Sequence, residues 1–173
     1  MFKPKRKQIM QAKSEIGVSE KILDGTIYKE KDFMRWVSFG CTGYVLQAIR
    51  ENPSYLHKKW GSQKLTCMHL AAFNGKVDLC SALIQIGAEV NCQDSFGETP
   101  LIDSLYFAIY EGKLELTELL ILKGADPNIK DLNGNTSLSR LIEINQRMTA
   151  SGETDISDLV SSYKQLANKA SNF

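Results

Sequence analysis

Apolar residues in the middle of the chain recur at helical spacing in short paired bursts, each closed by a glycine. Met68, Leu70, Ala71 and Ala72 form one burst, ended by Gly75. Val77, Leu79, Cys80, Leu83 and Ile84 form the next, the stripe of an amphipathic helix, ended by Gly87. The first helix of this pair is thin, because its alanines let a neighbouring helix approach closely. Thr66, just before it, supplies a hydroxyl for an orphan N–H of the first turn. Farther along, Pro100 opens a helix at the position where its missing N–H costs nothing, and Leu101, Leu105 and Ile109 continue it. The flanks keep the pattern more loosely. Phe33, Trp36 and Val37 predict one helix, and Val45, Leu46 and Ile49 another. Leu141, Ile142 and Met148 extend a later helix up to a polar linker, residues 149–154. Ile156, Leu159, Val160, Tyr163, Leu166 and Ala167 mark a last amphipathic helix, and the fold class is all-α.

These units repeat. The block Thr66-Cys-Met-His69-Leu-Ala71-Ala-Phe-Asn-Gly75 is followed by Gly87-Ala-Glu-Val-Asn91, which recurs as Gly124-Ala-Asp-Pro-Asn128. Thr66 and Thr99 lie 33 residues apart, and Asp131-Leu-Asn-Gly134-Asn-Thr136 matches Asp94-Ser-Phe-Gly97-Glu-Thr99. This pattern resembles the ankyrin-repeat family, whose signature is Thr-Pro-Leu-His-x-Ala with a glycine closing the first helix. The resemblance covers roughly residues 33–145 and is specific over 66–136. It implies an ankyrin-repeat solenoid of about four helix-turn-helix repeats with degenerate end caps, divided at about 33–60, 61–93, 94–130 and 131–173. The last segment includes a C-terminal capping helix, because an ordinary end repeat would leave an apolar face in water. Residues 1–30 are expected to be a basic, partly ordered arm outside the repeat domain, 31–173, with Ser19 to Leu23 able to form a helical turn.

The third unit departs from the family. Thr66 to Gly75 spans nine residues, whereas Thr99 to Gly112 spans thirteen. Aligned backwards from Gly112, Tyr106 takes the place of His69, and Ala108 that of Ala71. The four extra residues either add one turn at the N-terminus of the inner helix or lengthen the preceding finger, with Asp103 as the cap. The i+4 spacing of Leu101, Leu105 and Ile109 favours the added turn.

Composition narrows the chemistry. The 173 residues are 43% hydrophobic with a net charge of +1, enough for one domain with a core. No apolar run approaches the ~20 residues that span a bilayer, and no secretory signal stands at the N-terminus, so a cytoplasmic protein is expected. Charge is unevenly placed. Residues 1–60 carry 12 Lys/Arg against 6 Asp/Glu, and residues 61–173 carry 9 against 14. Cys41, Cys67, Cys80 and Cys92 are widely spaced, and His57 and His69 have no partner ligand nearby, which argues against zinc and for reduced core cysteines. Phosphate-binding, nucleophile-elbow and paired metal motifs are absent from the sequence. No enzyme, cofactor or small-molecule substrate is expected. An acidic repeat body also argues against nucleic acid.

The resemblance implies a partner surface on the concave side, formed by finger tips and the exposed side of the inner helices. The positions so implied are Gln63, Leu65, Phe73 and Asn74, then Ser95, Phe96, Glu98, Tyr110 and Glu111, and finally Leu132, Asn133 and Asn135. Phe73, Phe96, Tyr110 and Leu132 are apolar where the fold has no need of it, and rigid aromatics there suit partner anchoring. Packing against an adjacent finger is the competing role for Phe73 and Phe96. His69 is expected to bond the backbone of a neighbouring finger. Lys3, Lys5, Arg6 and Lys7 resemble a nuclear-import signal, or would serve an anionic surface. Asn91 and Asn128, with Leu83 and Leu120 eight residues before and Glu89 and Asp126 two before, resemble ankyrin asparagines hydroxylated by a 2-oxoglutarate-dependent oxygenase. They also fit the ordinary turn-forming role.

The function expected is a small adaptor or inhibitor binding a protein domain or peptide segment through the concave face. A bacterial effector in a host cell, with host cytosol or nucleus as its place, a bacterial immunity or regulatory subunit, and a short inhibitor of a Rel-type transcription factor all fit. A fixed structural subunit of a complex is the alternative class.

Overall fold

The computed structural model describes residues 30–170, so the basic arm and its Lys3, Lys5, Arg6 and Lys7, and the turn expected at Ser19 to Leu23, lie outside the described residues. Among the described residues, eight α-helices follow one another in pairs. They are α1 (Glu30–Phe39), α2 (Thr42–Glu51), α3 (Cys67–Phe73), α4 (Val77–Gln85), α5 (Pro100–Glu111), α6 (Glu115–Leu122), α7 (Ser137–Ala150) and α8 (Ser157–Ala170). A short 3-10 helix, Pro53–Leu56, follows α2. The odd-numbered helices pack in sequence as an inner layer, and the even-numbered ones as an outer layer. Among the described residues there is no strand, and the lone β-bridge joins Trp60 to Leu65.

Local chemistry sets each helix. Thr66 Oγ1 accepts the His69 N–H, and His69 Nδ1 in turn accepts the Thr66 N–H, a reciprocal cap on α3. Thr136 caps α7 by accepting the Ser139 N–H on its Oγ1. Thr99 precedes Pro100 at the start of α5, and left-handed Gly112 closes it. Gly75 has two reasons to be glycine. Its φ is +63°, and a Cβ would stand 2.2 Å from the Phe107 ring.

Two cores run along the stack. The larger joins Phe33, Val37 and Val45 through Met68, Ala71 and Leu83 to Leu101 and Leu120. The smaller gathers Leu105, Leu141, Ile156, Tyr163 and Ala167 beneath the C-terminal helix pair. Here Tyr163 reaches across, its hydroxyl 2.6 Å from Ser137 Oγ, which donates to the Pro127 carbonyl at 2.8 Å.

The four extra residues of the third unit lengthen the helix, and they do so at its C-terminal end. Helix α5 has 12 residues against 7 in α3, and both start directly after their threonine. The start, not the closing glycine, therefore sets the equivalence. Counted from it, Ile102 takes the place of His69, Ser104 that of Ala71, and Tyr106 that of Phe73. The contacts agree: the rings of Phe73 and Tyr106 lie 6.4 Å apart, and Phe107 covers Gly75. The backward alignment that put Tyr106 at His69 fails because hydrogen bonds between successive fingers fix the N-terminal ends.

Candidate binding surface

Three fingers stand side by side, held by main-chain bonds. The Ser95 N–H donates to the Gln63 carbonyl at 2.8 Å, and the Leu132 N–H donates to the Phe96 carbonyl at 2.9 Å. Each of the last two tips is shaped by an aspartate. Asp94 Oδ1 accepts the N–H groups of Phe96 and Glu98, and Asp131 Oδ1 those of Asn133 and Asn135. This leaves Phe96 and Leu132 on adjoining tips with 52% and 78% of their surface exposed. On the inner helices, Phe73 and Tyr110 are 37% and 61% exposed. Four of the expected surface residues, Phe73, Phe96, Tyr110 and Leu132, are thus exposed apolar side chains.

Other expected positions serve the fold. Leu65 is half-buried and bridged to Trp60, and the Asn74 amide donates to the Leu70 carbonyl at 2.8 Å. Gln63, Ser95 and Asn135 are half-buried, whereas Glu111 and Asn133 are exposed. Asn91 ties the second unit to the third, donating to the Gly124 carbonyl and accepting the Asp126 N–H, both at 2.9 Å. Asn128 is exposed, and its N–H donates to Asp126 Oδ1.

His69 is fully buried. One ring nitrogen lies 2.9 Å from Thr66 Oγ1 and the other 3.1 Å from the Glu98 carbonyl in the next finger. Desolvation lowers its pKa, despite that carbonyl. A neutral imidazole therefore joins two fingers. Burial likewise pushes the thiols of Cys67 and Cys80 up to about 12, so they stay protonated. Among the described residues, no group of three or more His, Cys, Asp or Glu is placed to hold a metal ion.

Glu98 leads to a cluster that sequence reasoning missed. Its side chain is only 13% exposed and pairs with Arg140 at 3.1 Å. The Tyr106 hydroxyl donates to Glu98 Oε1 at 2.8 Å and accepts from Arg140 Nε at 3.1 Å. Arg140 Nη1 reaches Glu143, which also pairs with Arg147. Desolvation raises the Glu98 carboxyl, with Tyr106 and Arg140 pulling the other way. Successive inner helices therefore carry Phe73, then Tyr106 and Tyr110, then the charged row Arg140, Glu143 and Arg147. Counting forward from Thr99 would have found Tyr106. Nothing in the sequence marks Arg140.

Comparison with known families agrees with this architecture. A model of ankyrin repeats in three copies matches residues 33–131, more than half of the chain. The chain belongs to the ankyrin-repeat family. Ankyrin repeats are protein–protein interaction modules, and the family is typically non-catalytic. The chain is also similar to the Arabidopsis thaliana serine/threonine-protein kinase VIK, 35% identical over 60 residues. That stretch is 35% of this chain and 14% of the kinase, so the chain spans a small part of its relative's length. Among the described residues, no helix of this ankyrin-repeat protein is long and apolar enough to cross a membrane.

Proposed function

We propose that this chain is a small adaptor or inhibitor that binds a protein partner through its fingers and concave face. The observation that carries the reading is the exposure of Phe96 and Leu132 on adjoining, hydrogen-bonded tips, with Tyr110 and Phe73 on the helices behind them. Their backbones are fixed by the fold while their side chains contribute little to either core. Ordered aromatic and aliphatic groups of this kind lose little entropy on binding and make effective anchors.

The test is capture from a native lysate with the wild-type chain and with a folded Phe96→Ala/Tyr110→Ala variant. A partner held by the first and lost by the second supports the reading. Equal recovery of the same partners by both rejects it.

A further inference from the structure

We propose that Asn133 is a site of spontaneous deamidation, reached through a succinimide that the Gly134 nitrogen closes, and that the change re-forms the third finger tip. The modification goes beyond the concave-face reading above and does not depend on it.

This ring closes most readily where glycine follows asparagine, because no Cβ then hinders the approach of the next nitrogen to the side-chain carbonyl. The chain contains two such pairs, Asn74-Gly75 and Asn133-Gly134, and the fold treats them differently. Asn133 is exposed, and none of the described residues hydrogen-bonds its side-chain amide. Gly134 is open as well. A Cβ on Gly97 would stand 2.8 Å from the Leu132 nitrogen of the next finger, whereas one on Gly134 would meet nothing within 4 Å.

Asn74 is half-buried where α3 ends, and its amide donates to the Leu70 carbonyl at 2.8 Å. The Phe107 ring fills the space beside Gly75, 2.2 Å from where a Cβ would stand. Both glycine N–H groups donate to a carbonyl at 3.0 Å, Gly75 to Ala72 and Gly134 to Asp131, so that bond does not separate the two sites. What separates them is the freedom of the asparagine side chain to swing onto the glycine nitrogen. An exposed turn opens at low cost, and a helix end under a packed ring does not.

The Gly134 N–H loses its proton to base, and the nitrogen attacks Asn133 Cγ. The bond from Cγ to the side-chain nitrogen breaks, and that nitrogen leaves as ammonia, taking a proton back from solvent. Water then opens the ring at either carbonyl, giving aspartate or isoaspartate. Either product places a carboxylate beside Asp131, which is buried with Oδ2 lacking a hydrogen bond. Isoaspartate also lengthens the main chain by one carbon. It thereby moves apart the Asn133 and Asn135 N–H groups that Asp131 Oδ1 accepts at 2.8 and 2.9 Å. The tip that carries Leu132 is rebuilt.

The test is peptide mapping by mass spectrometry of the full chain aged in mildly alkaline buffer, both folded and in urea. In urea the two asparagines should convert at similar rates. In the folded chain Asn133 should convert to a mixture of aspartate and isoaspartate, faster as pH rises. Asn74 should lag by about tenfold or more, because the end of α3 must open first. Asn133→Gln, which would have to close a larger ring, should stay unconverted and supplies an unaltered tip for comparison. Hydrogen exchange across residues 131–135 should be faster in the aged wild-type chain than in the fresh one, and unchanged by ageing in Asn133→Gln. No conversion at Asn133 in the folded chain, conversion no faster than at Asn74, or aspartate without isoaspartate overturns the proposal. So does conversion that leaves exchange at the tip unchanged. None of these readouts uses a partner, so equal capture by the wild-type and Phe96→Ala/Tyr110→Ala chains would reject the concave-face reading alone.

Discussion

Asp103 stands at the position of α5 where α3 has Leu70, and it is buried with Oδ2 accepting no hydrogen bond. Burial raises its carboxyl well above the usual range, and Glu98 and Asp94 add to the effect. A carboxyl whose folded pKa exceeds its unfolded value of about 3.9 binds its proton more tightly in the native state. Stability from this group is therefore full below the unfolded value and falls as pH rises towards the folded one. Replacing it with the apolar residue of the preceding repeat removes that loss. Asp103→Leu should stabilise the protein by ~1–3 kcal/mol at pH 7, the usual cost of an unpaired buried polar group. Urea unfolding at intervals from pH 4 to pH 8 measures this. The gain over wild type should grow with pH, and a constant or negative difference would contradict the account.

At the scale of elements, the direction in which α5 is extended decides which side chains face the groove. The extra turn projects past α3, where Phe107 lies over Gly75. Gly75→Ala should thus cost more than its left-handed φ alone, ~1–3 kcal/mol by overpacking. In a Phe107→Ala background the steric share should vanish, so a double-mutant cycle of melting curves should find the double mutant less destabilised than the sum of the two single changes. Additivity would place Phe107 elsewhere. The sequence made the helix pairs legible because threonine caps, closing glycines and apolar stripes are local chemistry. The end that received the extra turn was not legible, since one turn nearly preserves the apolar phase from either end. What decides it is the His69 bond to the Glu98 carbonyl, a contact from α3 to the next finger. The Glu98, Tyr106 and Arg140 cluster was hidden for a related reason. Arg140 lies 34 residues from Tyr106 and 42 from Glu98, and only stacking brings them together.

Across the whole molecule, stacking divides stability unevenly, because each repeat touches only its neighbours. The first three repeats share one continuous core, while the C-terminal helix pair is held by the smaller cluster around Leu141 and Tyr163. Tyr163 is the largest fully buried side chain, and its hydroxyl meets Ser137 at the start of α7. Removing it strikes both the packing of α8 and the seat of α7. Tyr163→Ala should cost ~3–5 kcal/mol, as for other large-to-small aromatic changes. The loss should be local, with amides of α7 and α8 exchanging hydrogen much faster while those of α3 and α4 stay protected. Because α7 carries Arg140 and Glu143, this loosening should also release Glu98 and weaken partner binding, with the Phe96 tip left in place. Hydrogen exchange read by mass spectrometry tests the first part, and affinity of the same variant tests the second. Uniform deprotection of all eight helices would instead mean that the stack unfolds as one unit and that the cap holds the groove only through global stability.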